Sequence, residues 1–143
     1  MITRIYTREY VVLDYDSSVP CVIATRLEFI AIQEFEDYLN FGLDFMKEKI
    51  KETGRMLWLV DLRFSSITHP DSVQWLIESW NPRAFEAGIK HIALVVPDEE
   101  WVKVPAEEYC EETEKKQGIT TVCFKDVESA RRWFMEDIGI SRS

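Results

Sequence analysis

Three aspartates in this chain stand where chemistry could gather. Asp61 follows the apolar run Met56-Leu57-Trp58-Leu59-Val60, Asp98 follows "HIALVVP", and Asp126 follows "ITTVCFK". Each falls just beyond a predicted strand, and in open α/β sheets ligands bind outside the carboxyl ends of the strands. Three acids converging there would hold a magnesium ion, with Lys125 nearby as a phosphate partner. Two features oppose that reading: the chain opens with a hairpin rather than a strand and a helix, and Asp98 and Asp126 are well placed to cap the helices that follow them. The element Asp61-Leu62-Arg63 also has a structural reading, in which the carboxylate accepts loop amides, Arg63 pairs with an acid, and Ser65 and Ser66 fill an ordinary turn. No metal is assigned.

Other catalytic patterns are missing. The 5 glycines, Gly42, Gly54, Gly88, Gly118 and Gly139, are isolated, so no glycine-rich phosphate loop exists. Neither His69 nor His91 sits in a motif, and no serine occupies a Gly-x-Ser-x-Gly elbow. Cys21, Cys110 and Cys123 are scattered without a close pair and read as buried free thiols rather than metal ligands. No acid, base and nucleophile set can be assembled, so the sequence predicts a non-enzyme without a cofactor.

Composition narrows the partners. A formal net charge of -9 opposes nucleic-acid and anionic-membrane binding, which rest on clustered lysine and arginine. No apolar run approaches the roughly 20 residues that span a bilayer, and no signal core follows the N-terminus, so a cytoplasmic protein is expected. With 143 residues and 46% hydrophobic residues the chain reads as one globular domain, 1–143, with its tail at 140–143 the expected exception to order.

The elements that would position these residues follow from periodicity. Residues 9–16 and 21–27 flank the turn Asp16-Ser17-Ser18 and read as an antiparallel hairpin. A helix spans 31–53 with Gly54 at its C-cap, and 56–62 is a strand apolar on both faces. A second helix starts at Thr68-His69-Pro70-Asp71, where Thr68 opens a capping box; it bends or breaks at Asn81-Pro82 and ends by Gly88. Residues 91–96 form a strand, the acidic stretch 102–117 a weakly periodic helix, 119–124 a strand, and 126–138 a helix with Val127, Ala130, Trp133 and Phe134 at core spacing. The alternation predicts an α/β fold with a mixed sheet, mostly parallel in its centre, whose strand order the sequence leaves open.

The helices carry an aromatic surplus. Val73, Leu76, Ile77 and Trp80 form one stripe of the second helix, and Trp75 lies roughly 200° around from Val73. On the first helix Phe35, Leu39, Leu43, Met46 and Ile50 make the core stripe, with Tyr38, Phe41 and Phe45 beside it. Tyr38, Phe41, Phe45 and Trp75 are therefore the candidate ligand or interface residues. They fit helix contacts inside the monomer, self-association, or an apolar ligand cleft.

Together the hairpin, the run from Met56 to Arg63, "WLIESWNPR", "HIALVVP" and "FKDVESARRWF" resemble the STAS-like proteins, specifically the SpoIIAA-like group, over nearly the whole chain. The resemblance implies a STAS-like fold and a relation to anti-sigma factor antagonists. In those proteins an aspartate ends a central strand and a serine at the start of the next helix is phosphorylated by a partner kinase. Asp61 matches the first feature and Asp71-Ser72 loosely matches the second, although Val73 and Gln74 replace the rest of the family's Asp-Ser-Ser/Thr-Gly run. Asp61, Arg63 and Ser72 are thus the possible regulatory residues, with Ser72 otherwise a solvated first-turn residue. The expected function is a non-catalytic cytoplasmic regulatory or interaction module, binding a protein partner or itself as a homodimer through the first two helices. The alternative is a carrier or sensor of an apolar or lipid-like small molecule.

Overall fold

The computed structural model describes residues 1–65 and 67–142, with side chains through Glu136. Ser66 and Ser143 lie outside what is described, and residues 140–142, expected as an exception to order, form the end of a helix. The fold is α/β, with six strands in sequential order: β1 Ile2–Thr7, β2 Val11–Asp16, β3 Cys21–Arg26, β4 Leu57–Asp61, β5 His91–Val95 and β6 Thr120–Phe124. β1, β2 and β3 pair antiparallel, and β3 through β6 are parallel. The sequence reading had two opening strands, and β1 is a third. It is an edge strand, mostly exposed and bulged between Arg4 and Tyr6, so it lacks the apolar alternation that marks a covered strand.

The helices are α1 Ile32–Thr53, α2 Pro70–Trp75, α3 Asn81–Ala87, α4 Glu100–Gln117 and α5 Val127–Arg142. Each parallel crossover advances one strand in the same direction, and crossovers of one hand then place their helices on one face. The two cores follow this rule. Trp58, Val60, Ile92 and Leu94 face a cluster that includes Phe35, Leu39, Leu43 and Met46 of α1, Trp80, and Val102 and Cys110 of α4. Leu57, Leu59, Ala93 and Val95 face Ala130 and Phe134 of α5.

Helix ends follow local chemistry. Gly54, Gly88 and Gly118 end α1, α3 and α4 in the left-handed conformation, with φ of 78°, 103° and 71°. Thr68 does not cap α2. His69 does, its Nδ1 accepting the Asp71 amide at 3.0 Å, because the Thr68 hydroxyl is engaged by Arg26. Between α2 and α3 the chain widens into a π-helical turn, Leu76–Trp80, where the Asn81 amide reaches the Leu76 carbonyl. This turn accommodates Pro82, which in a regular helix would clash with the carbonyl four residues back. The bend anticipated at Asn81-Pro82 is therefore a π-turn through which the helix continues.

Candidate functional site

At the carboxyl end of β3, β4 and β5 the three covering helices do not close on the sheet. They leave a cavity of about 300 Å³. Parallel register stacks Ala24, Val60 and Leu94 in one row on the helix-covered face, and the alternation continues to Arg26 and Leu62 on the strands' last turns. Phe35, Tyr38 and Leu39 come from α1, Val73 from α2, and Leu76 and Trp80 from the π-turn. Trp101, Val102, Pro105, Ala106 and Tyr109 of α4 complete the wall at helical spacing. Trp101 is 64% exposed and stands where the cavity meets the surface.

An apolar void of this size is not an ordinary packing defect. At about 24 cal/mol per Å³ an empty one would cost on the order of 7 kcal/mol, an upper bound because this one reaches solvent. That is comparable with the roughly 5–15 kcal/mol by which a whole domain is stable. The aromatic walls are themselves held in place. Trp80 donates its indole N–H to the Leu39 carbonyl at 2.8 Å, and its ring lies 5.4 Å from that of Trp58. Trp58 in turn seats against Gly42, where an added Cβ would fall 2.7 Å from the ring, so only glycine lets α1 approach this closely.

Arg26 lines the cavity and is 2% exposed. Its guanidinium donates to the Thr68 hydroxyl at 2.5 Å and to the Ile67 carbonyl at 2.7 Å, and its Nε has no partner. Among the described residues no carboxylate pairs with it. Tyr38 and Tyr109 supply phenols to the same wall; burial pushes Tyr38 up to about 12 and raises Tyr109, so both are neutral donors near pH 7. Tyr109 accepts from the buried Asn81 amide at 3.1 Å, tying α4 to the start of α3.

Of the four candidate aromatics, only Tyr38 lines the cavity, and it is 1% exposed. Phe41 packs on Tyr6 of β1 at 4.7 Å and Phe45 on Tyr15 of β2 at 5.2 Å, because α1 also covers the antiparallel half of the sheet. Trp75 lies edge-on to Phe35 at 6.2 Å, with Arg83 over its ring at 5.8 Å. The structure thus spreads these aromatics along α1 and α2 rather than gathering them into one patch.

Asp61 faces away from the cavity, toward α5, and is held by its neighbour: its carboxylate accepts from the Arg63 amide, Nε and Nη2 at 3.1, 3.0 and 2.8 Å. Asp126 accepts the Ser129 amide at 2.7 Å at the start of α5, and Asp98 lies 3.8 Å from Lys103. Among the described residues no three His, Cys, Asp or Glu cluster to hold a metal. Ser72 is not solvated as expected: it is 1% exposed and its hydroxyl has no partner, because α2 turns this face inward.

Two features went unseen in the sequence. Arg26 is one; its signal was parity, since it shares the inward face with Val22 and Ala24. The other is the thiol pair Cys110–Cys123, whose sulfurs lie 3.2 Å apart across α4 and β6 although 13 positions separate them.

No family model, curated protein or solved structure matches the chain. Among the described residues no helix is long and apolar enough to cross a membrane.

Proposed function

We propose that this chain is a STAS-like module that carries or senses a small apolar molecule in the cavity between its sheet and helices α1, α2 and α4. The observation that carries this reading is the cavity itself: apolar and aromatic walls, about 300 Å³, at the carboxyl ends of parallel strands, where ligand sites of α/β sheets form. Among the described residues lining it none forms an acid, base and nucleophile set, so the reading is non-catalytic.

The test is native mass spectrometry of the protein as purified from cells, followed by titration with 1-octanol read through tryptophan fluorescence, since Trp58, Trp80 and Trp101 line the site. A discrete added mass, and octanol binding that is lost when Ala106→Trp fills the cavity without unfolding the chain, are expected. A bare chain that binds neither octanol nor octanoate would sink the reading.

The second reading is an interaction module acting on a regulatory protein or on itself. Its supporting observation is the exposure of Leu27, Phe29, Phe64, Ile67 and Trp101, all at the end of the molecule where the cavity lies. A clean dimer without added mass, dissociated by Phe29→Ser or Trp101→Ser, would favour it.

A further inference from the structure

Among the described residues the fold matches each of its buried acids with a guanidinium. Asp16 Oδ2 lies 2.6 Å from Arg131, and Asp61 Oδ2 lies 2.8 Å from Arg63. Its one buried cation among the described residues, Arg26, has no acid, in a chain that carries 26 acidic residues against 17 basic ones. Arginine stays charged at any accessible pH, and a charge taken out of water without a counter-ion is costly. The hydrogen bonds Arg26 makes do not explain the charge, because a hydroxyl and a backbone carbonyl would be served as well by a neutral amide, and the Phe35 ring, its centroid 6.0 Å from the guanidinium carbon, attracts a cation without neutralising it. Two of its five N–H groups are used in those bonds, and Nε is unpartnered.

Among the described residues Arg26 is also the only charged one lining the cavity. All other lining residues are apolar, aromatic or hydroxyl-bearing. We infer that the ligand of this cavity is an amphipathic monocarboxylate, its anionic head paired with Arg26 and its apolar body held between Tyr38, Trp58, Trp80 and the α4 wall; this rests on the reading of the cavity as a ligand site. A single guanidinium with no second cation suits one negative charge, and its planar fork suits a carboxylate. Size follows from volume. At the ~30 Å³ that each water occupies in the liquid, the cavity takes a body of roughly ten non-hydrogen atoms, a medium-length chain or an aromatic acid of like bulk.

The experiment compares octanoate, 1-octanol and octylamine by calorimetry at pH 7.5 on the wild-type chain and on Arg26→Gln. Octanoate is expected to bind about tenfold or more tighter than octanol, the size of one hydrogen-bonded charge pair, and octylammonium the weakest. Arg26→Gln is expected to keep octanol binding and to lose the preference for the acid. A second measurement does not depend on the variant folding: the carboxyl carbon of ¹³C-labelled octanoate, followed by NMR, should titrate at lower pH when bound to the wild-type chain than when free. Equal binding of acid and alcohol, an acid preference that survives Arg26→Gln, or an unshifted carboxyl titration would overturn the inference while leaving the cavity reading intact. Binding of neither acid nor alcohol would remove the cavity reading and the inference with it.

Discussion

Buried charge is where single residues matter most in this molecule. The Asp61–Arg63 clamp closes the turn after the central strand, and Asp61→Asn removes the ionic part of three hydrogen bonds at a buried carboxylate. A loss of about 1–3 kcal/mol in urea unfolding is expected, with octanol binding unchanged because the side chain faces away from the cavity. A stable variant that has lost binding would instead assign Asp61 to the ligand. Asp16 gives a pH signature. Burial alone would raise its carboxyl, but bonds from the Ser18 hydroxyl and amide together with Arg131 hold it below the usual range. A carboxyl depressed in the folded state contributes stability above its unfolded value of about 3.9, and that contribution disappears as pH falls through the folded value. The stability gap between the wild-type chain and Asp16→Asn should therefore be full at pH 7 and shrink below about pH 4; a gap constant from pH 7 to pH 3 would refute the assignment.

Among the elements, α1 does two jobs that one amphipathic stripe cannot do. Its core stripe closes the cavity side, and the flanking Phe41 and Phe45 cover β1 and β2. The sequence marked both lines of residues but offered no way to see what the second one faces, since that depends on strand order. The same limit hid the cap of α2. Thr68 and His69 both suit a helix start, and the choice was made by Arg26, 42 positions away, taking the threonine hydroxyl. Gly42 is the point at which the backbone of α1 meets the Trp58 ring. Gly42→Ala gains helix propensity of roughly 1 kcal/mol but drives a methyl into Trp58, and overpacking of this kind costs typically ~1–3 kcal/mol. Since Trp58 lines the cavity, the displaced ring should also weaken octanol binding. Measured stability and affinity should fall together, and an undisturbed affinity would show that the ring yields in some other direction.

On the scale of the whole molecule the sheet is unequally covered, and this follows from topology. Sequential strand order sends α1, α2 with α3, and α4 to one face, so the opposite face of β3, β4 and β5 depends on α5. The double-sided apolar strands at 56–62 and 91–96 announced that both faces are buried, and the spacing of Val127, Ala130, Trp133 and Phe134 announced a helix able to bury one of them. What periodicity could not assign was which helix serves which face. That assignment needs the handedness of the crossovers combined with strand order, and the order was fixed only by long-range pairing. The division also separates a packed face from a hollow one: Ala130 and Phe134 of α5 pack into the core on one side, whereas the three-helix face holds the cavity. Phe134 is fully buried on the packed face, beside Leu57, Leu59 and Ala93 in that core. Phe134→Ala should accordingly cost about 3–5 kcal/mol in urea unfolding, the range for a large aromatic deleted from a packed core. Wherever the variant stays folded, octanol and octanoate affinities should match those of the wild-type chain, because no cavity wall has moved. A variant that keeps its stability would mean that α5 is not the cover this face requires. One that stays folded but loses affinity would mean that the two faces are coupled through the sheet.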